Sequence, residues 1–428
     1  MNSTEGEQAE EVPLLRKNFF RLILLSIAGA AIYTLPYFRF SYYDVYLEMY
    51  NLTEIQMGAL GSAYGLLGLV SYLIGGALAD IVSTRKLLFF SLVATGLGGL
   101  VHLVTYNFVT LVIIYGMWGI TSLLTFWPAL IKAVRLLANG REQGRAFGIF
   151  EGTRGVVNAL FVPIALALFV FVADKIGNFA GIRSNIIFYS SVMILCGLLV
   201  LFTIPDSKKV EAREKFKLKN LLIVIKIPQI WLATFILFMA YTYHMSYYYF
   251  NPYTTRILGG SIAMGMLMSN LSQWIRPLGC VGGTWLGNRV GNPLVRFLSN
   301  GIMAVGTISI ILIPAAPTMI PIMVGVVAVI YLSMYAHQAL VFPMLAEGKV
   351  PMNVSGLAIG LMSTIGYIPE VLVPSVAGAI LDKYPGAQGF HYYFGIMAAC
   401  CTLASIGVLI WLKKYGNKNI PVEPKGAV

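Results

Sequence analysis

Long apolar runs separated by short polar breaks dominate the chain. A helix needs about 20 apolar residues to cross the hydrocarbon of a bilayer. Twelve runs reach that length: 19–43, 54–79, 87–106, 108–136, 144–173, 185–204, 229–257, 261–287, 294–313, 318–346, 352–382 and 390–414. Several exceed the minimum, which predicts tilted or kinked spans. Prolines inside them (Pro36, Pro128, Pro163, Pro252, Pro277, Pro369, Pro374) predict where the bends fall. The longest polar break starts at Pro205, reads PDSKKVEAREKFKLK, and divides six runs from six. It is expected to be a basic, amphipathic linker at the lipid surface.

The division suggests a polar tail (1–18), a six-helix bundle (19–204), a linker (205–228), a second bundle (229–414) and a tail (415–428). The halves read as repeats. Gly75-Gly76-Ala77-Leu78-Ala79-Asp80 ends the second run, and Gly282-Gly283-Thr284-Trp285-Leu286-Gly287-Asn288-Arg289 ends the eighth. Gly144 and Gly148 open the fifth run, and Gly356 and Gly360 the eleventh. The expected fold is an all-α membrane protein: twelve transmembrane helices in two pseudo-symmetric six-helix bundles, a parallel-repeat plan that suits a transporter with its site between the halves.

Composition agrees. Of 428 residues, 58% are hydrophobic and 11% charged, against roughly 25% charged in a soluble domain. The mean hydropathy is +0.77. The net charge of +12 would suggest nucleic acid in a soluble protein, but its distribution explains it otherwise. With the N-terminus placed in the cytoplasm, 23 of the 30 Lys and Arg fall in cytoplasmic segments. The outer loops hold Lys175, Arg183, Arg256 and Lys383. That asymmetry orients both termini inward. No cleavable signal peptide is expected, because the first apolar run is too long for one. Cys196, Cys280, Cys400 and Cys401 lie in apolar runs without metal-ligand spacing. No metal, cofactor or nucleic acid is expected. The partners expected are the bilayer and a small solute, with the chain acting as a monomer in a membrane of the bacterial inner-membrane type.

Ionisable groups inside a membrane are costly, so each is a functional candidate. Arg39 lies among Tyr33, Tyr37, Tyr42 and Tyr43; a guanidinium grips carboxylate, sulfonate or phosphate through a planar fork. A structural pair with Asp44 is the alternative. Arg154 follows Glu151 by three residues, on the same helix face. Glu151 would either neutralise Arg154 or carry a proton while Arg154 holds an anion. His244 sits in an aromatic run from Tyr241 to Phe250 that includes Tyr247, where hydroxyls and ring faces suit sugar-like groups. Arg276, a further buried charge, lies between Trp274 and Pro277, and would face a cavity or pair with Glu370, the other deep carboxylate.

Gly76-x-Leu78-Ala79-Asp80-x-x-x-x-Arg85-Lys86 resembles the loop 2–3 signature of the major facilitator superfamily, with Ile81 and Ser83 replacing the usual Arg and Gly. The resemblance implies a conformational latch at Asp80 and Arg85. Across most of the chain, the sequence is similar to the organophosphate:phosphate antiporter and organic anion symporter branch. The segments carrying this are Tyr37–Tyr43, Leu52–Gly65, Trp127-Pro128, Gly144–Gly148 and Gly356–Tyr367. In that branch, arginines on the first and seventh helices bind phosphate, with a histidine nearby on the fifth. Arg39 matches the first position. The seventh-helix position is His244 here, and the fifth-helix position is Arg154.

The expectation is therefore a transporter and not an enzyme. It would move a small organic anion (sugar phosphate, sulfonate or sugar acid) by alternating access, proton-coupled through Glu151 or Glu370 or by anion exchange. Substrate binding is expected at Arg39, Arg154, His244, Tyr37, Tyr42, Tyr247 and Trp274. A transporter-like sensor, or a membrane enzyme acting on an anionic lipid-linked substrate, is the alternative.

Overall fold

The computed structural model describes residues 14–138, 142–205, 224–348, 350 and 352–415; the side chains of 70, 72–77, 79–81, 143–144, 346 and 352–356 lie outside that description. The amphipathic linker expected within 205–228 falls largely outside it too.

Each expected run is helical. The first span comprises α1 (Phe19–Ala31), α2 (Thr34–Ser41) and α3 (Tyr43–Tyr50). Next come α4 (Glu54–Ile81), α5 (Thr84–Val104), and α6 (Phe108–Gly119) joined through a wide turn to α7 (Trp127–Leu136). The first half ends with α8 (Gln143–Ile176) and α9 (Asn178–Thr203). The second half holds α10 (Pro228–Ser246) continued by α11 (Phe250–Arg256), then α12 (Ile262–Val290), α13 (Asn292–Leu312), α14 (Ile320–Ala339), α15 (Met352–Gly366) with α16 (Pro369–Lys383), and α17 (Ala387–Tyr415). Among the described residues, eight helices are long and apolar enough to span alone, and the bent α1–α2 pair makes a ninth. The remaining expected spans are α4, the α10–α11 pair and α12. The last of these carries Asn270, Gln273, Arg276, Asn288 and Arg289, polar residues that lower its hydropathy.

Several breaks have a proline at or just past them. A proline removes one helical donor and crowds the carbonyl four residues back. The 45° bend between α1 and α2 lies at Ile32–Tyr33, one turn before Pro36. The π-helical stretch Ile120–Phe126 precedes Pro128, and the 3₁₀ turn Tyr247–Tyr249 precedes Pro252. Helix α15 stops just before Pro369.

The halves meet most closely where α4 packs on α16. A Cβ on Gly58 would lie 2.2 Å from the Pro374 carbonyl oxygen, and one on Gly65 would lie 2.8 Å from that of Glu370. In return, a Cβ on Gly378 would lie 2.3 Å from the Glu54 carbonyl oxygen. Small residues here let two backbones touch, the usual way helices associate in lipid.

Polar bonds close the same end. Asp382 accepts from the backbone N–H of Glu54 (3.0 Å) and of Ile55 (2.8 Å), so a carboxylate from one half caps a helix N-terminus in the other. Arg256 pairs with Asp44 at 2.5 Å and with Glu54. Thr255 donates to Asp44, and Asn251 donates to the carbonyls of Phe40 (2.6 Å) and Ser41 (2.9 Å).

At this end the buried apolar core is one body drawn from both halves, from Ala31 and Leu35 to Phe394 and Cys401. Toward the chain termini it divides in two. One cluster (Leu15 to Ile204) belongs to the first half and one (Val224 to Trp411) to the second. The bundles are joined at one end and have separate cores at the other.

Candidate functional site

Between the halves lies a cavity of about 260 Å³. Four helical stripes line it, each with the 3–4 residue spacing of one helix face. From α1 and α2 come Ala30, Tyr33, Thr34, Tyr37, Phe38 and Ser41, followed by Tyr42 at the break before α3. Helix α8 contributes Arg154, Asn158, Phe161, Val162 and Ala165. Helix α10 and the turn after it contribute Tyr241, His244, Met245, Tyr247 and Tyr248, and α12 contributes Met266, Ser269, Asn270, Gln273 and Arg276.

Two cations face this space, one from each half. The Arg154 guanidinium lies 5.2 Å from the Trp127 ring centre and 5.5 Å from that of Phe150, and donates to Glu151 at 2.7 Å. Its side chain is 12% exposed, whereas that of Glu151 is 52% exposed. Arg276 sits 5.7 Å from the Tyr335 ring centre. His244 stacks on Tyr241 and meets Tyr247 and Tyr335 edge-on. Tyr37 stacks on Tyr248 across the halves and donates to Glu370 at 2.5 Å. Tyr42 accepts from Asn185, so its hydroxyl is engaged within the first half.

Arg154, His244, Tyr37, Tyr42 and Tyr247 thus share one cavity. Arg39 does not line it. It is 2% exposed, donates to the Pro36 carbonyl at 2.6 Å, and faces the rings of Phe40 (4.1 Å) and Tyr115 (4.8 Å). Its Nη2 lies where a Cβ on Gly61 would approach within 2.6 Å, in the α4–α16 contact. Asp44, the alternative partner for Arg39, is taken by Arg256 instead. Arg39 and Tyr37 are two residues apart, about 200° around a helix, so one faces the cavity only if the other turns away. The same rule separates Trp274, 41% exposed and off the cavity, from Arg276, which lines it. Arg276 is not buried as expected but exposed, and Glu370 bonds to Tyr37, not to Arg276. The Asp80 side chain of the expected latch lies outside the described residues.

Several participants were not singled out in the sequence: Asn158, Gln273 and Tyr248 in the lining, the Arg256–Asp44–Glu54 clamp, and Arg296. The last lies close in sequence to the loop between the eighth and ninth runs, yet it is fully buried in α13. The helical stripes themselves were the available signal for the lining. Among the described residues, no group of His, Cys, Asp and Glu is placed to hold a metal.

Residues 19–374 match the Major Facilitator Superfamily. The chain belongs to this superfamily. Inner membrane protein YihN of Escherichia coli (strain K12) is 28% identical over 418 residues, covering 95% of this chain and 98% of the relative. Inner membrane protein YqcE of the same strain is 26% identical over 387 residues, covering 88% and 90%. Among solved structures, the nucleoside transporter NupG superposes with a TM-score of 0.72 at 13% identity, covering 92% of this chain and 98% of that one. A bacterial homologue of the human lysosomal transporter Spinster gives 0.69 at 12% identity, covering 96% and 98%. These superpositions show the major facilitator fold. The superfamily chain described here is accordingly a multi-pass membrane transporter with a central cavity between its two bundles.

Proposed function

We propose that this superfamily member moves a small organic anion by alternating access around the central cavity. The observation carrying the proposal is the placement of Arg154 on one half and Arg276 on the other, both lining one aromatic, amide-rich space. Glu151 holds Arg154, and Arg276 lines the space from the other half. A bound carboxylate, sulfonate or phosphate that displaces Glu151 and reaches both guanidinium groups would draw the bundles together. Asn158, Asn270, Gln273 and the tyrosine hydroxyls supply donors and acceptors for a hydroxylated body, and Tyr37 and Tyr248 supply ring faces. A sugar phosphate, a sulfonate or a sugar acid fits this lining, in keeping with the organic anion branch of the superfamily.

Both termini are proposed to be cytoplasmic, as the Lys and Arg distribution requires. The conformation described is then closed outside, by the Arg256 clamp and Asp382 cap, and parted inside. The bundles 19–204 and 229–414 rock about the site, tethered by the linker 205–228, with Asp80 and Arg85 latching the opposite state. Glu151 occupies Arg154 while the cavity is empty, and an incoming anion displaces it. Glu370, tied to the cavity through Tyr37, is the second carboxylate through which a proton gradient could act; exchange against a second anion is the other energy source. The protein is taken to work as a monomer in an inner membrane.

Thermal stabilisation of purified protein tests the substrate class. Glucose 6-phosphate, glucuronate, a sugar sulfonate and the uncharged nucleoside uridine are compared. At least one anion should raise the melting temperature, and uridine should not. Stabilisation by uridine alone would replace the anion reading with a nucleoside one, the solute named for NupG.

A further inference from the structure

Arg296 on α13 and His337 on α14 are enclosed side by side, 0% and 3% exposed. The Arg296 Nη2 and the His337 Nε2 are 3.0 Å apart. A guanidinium only donates, so His337 Nε2 is the acceptor and carries no proton. The ring is therefore neutral, with its single proton on Nδ1. That Nδ1 is buried and has no protein partner among the described residues.

Beside His337 lies a void of about 20 Å³, bordered also by His244, Tyr241, Gln338, Met303 and Met334. This is room for one water molecule. His244 faces two spaces, this void and the central cavity. Its Nδ1 is likewise buried and without a protein partner.

We propose that one ordered water fills the void and bridges the two imidazoles, so that Arg296 and His337 fix His244 as the tautomer with its proton on Nε2. The donors and acceptors match along the whole chain. Arg296 Nη2–H donates to His337 Nε2, and His337 Nδ1–H donates to the water. The water donates to His244 Nδ1. His244 Nε2–H remains as a donor for an anionic oxygen in the cavity. Each bond polarises the next, so the enclosed guanidinium strengthens the donor at the far end. Arg296 and His337 touch no substrate; they are positioning residues. The final link, to an anion, rests on the proposed function, whereas the tautomer does not.

The test is ¹⁵N NMR of histidine-labelled protein in lipid nanodiscs without ligand, feasible because the chain has 4 histidines. His244 should show a protonated Nε2 and a bare Nδ1, and His337 the reverse. His337→Asn keeps an amide donor near the Nδ1 position and should preserve the His244 tautomer. His337→Leu removes that donor and should leave His244 in a mixture of tautomers. A wild-type His244 protonated on Nδ1 would overturn the proposal even if the leucine variant failed to fold, as would an unchanged His244 in a folded leucine variant. Correct tautomers in a protein that transports no anion would count against the proposed function alone.

Discussion

Tyr37 and Glu370 join the two halves: Tyr37 lines the cavity, and its hydroxyl donates at 2.5 Å to a carboxylate 92% enclosed on α16. The bond links the contents of the cavity to the contact that closes one end. If the transport cycle is proton-coupled through Glu370, Glu370→Gln should abolish uphill accumulation of the anion in proteoliposomes while leaving exchange between equal pools. Loss of both, or of neither, in a protein that still folds would exclude that role.

Arg154 shares its charge with Glu151 at 2.7 Å on the same helix face. An anion has to compete with this carboxylate. Glu151→Gln should therefore tighten anion binding several-fold, in line with roughly 1 kcal/mol for a part-exposed pair. Titration calorimetry with the anion selected by the stabilisation panel checks this, and weaker binding in the variant would show that Glu151 contributes to the site.

The seal at the other end of the pathway is built from Arg256, Asp44, Glu54 and Asp382. Arg256 is about one-third exposed, so its two pairs together are worth on the order of 1 kcal/mol or somewhat more. Arg256→Ala should shift the population toward opening at that end by about fivefold. Labelling of a cysteine placed at Ser41 by a membrane-impermeant thiol reagent added outside should rise accordingly; unchanged labelling from that side would mean that backbone packing alone holds the seal.

That packing has its own test. Gly58→Ala places a methyl group 2.2 Å from the Pro374 carbonyl oxygen, and Gly378→Ala places one 2.3 Å from that of Glu54. Overpacking of this kind costs about 1–3 kcal/mol, and here the cost applies only to the conformation closed at that end. Both variants should express and fold, favour the state open there, and transport slowly. Normal transport would show that the helices part easily.

The twelve apolar runs made the fold legible because lipid imposes length and hydropathy on each span. Pro36, Pro128, Pro252 and Pro369 located breaks, since a missing donor acts one turn back along the same helix, whereas Pro163, Pro277 and Pro374 sit inside continuous helices. Arg154 and His244 were legible because each is a polar group in an apolar run, and both reached the cavity. Arg39 was not sorted correctly by that signal, and of the two courses open to Arg276, facing a cavity or pairing with Glu370, the structure shows the first. The count of polar residues along a run marks the helix but not its rotation, so hydropathy alone does not fix which way either arginine faces. The choice was recoverable from spacing, however: Thr34, Tyr37, Ser41 and Tyr42 form one stripe that excludes Arg39, and Gln273 shares a face with Arg276 but not with Trp274. The Asp382 cap and Arg256 clamp join residues hundreds of positions apart, where no periodicity reaches. Arg296 was hidden by its neighbours in sequence, which made it look like one more loop-flanking cation.

The central claim is that an anion bridges Arg154 and Arg276. Counterflow in proteoliposomes measures it directly, with wild type, Arg154→Ala and Arg276→Ala each loaded with the stabilising anion. Each truncation removes charged hydrogen bonds worth about 1.5–3 kcal/mol, so the apparent affinity should fall by about tenfold or more in both variants. Exchange at wild-type affinity in both folded variants would contradict the account.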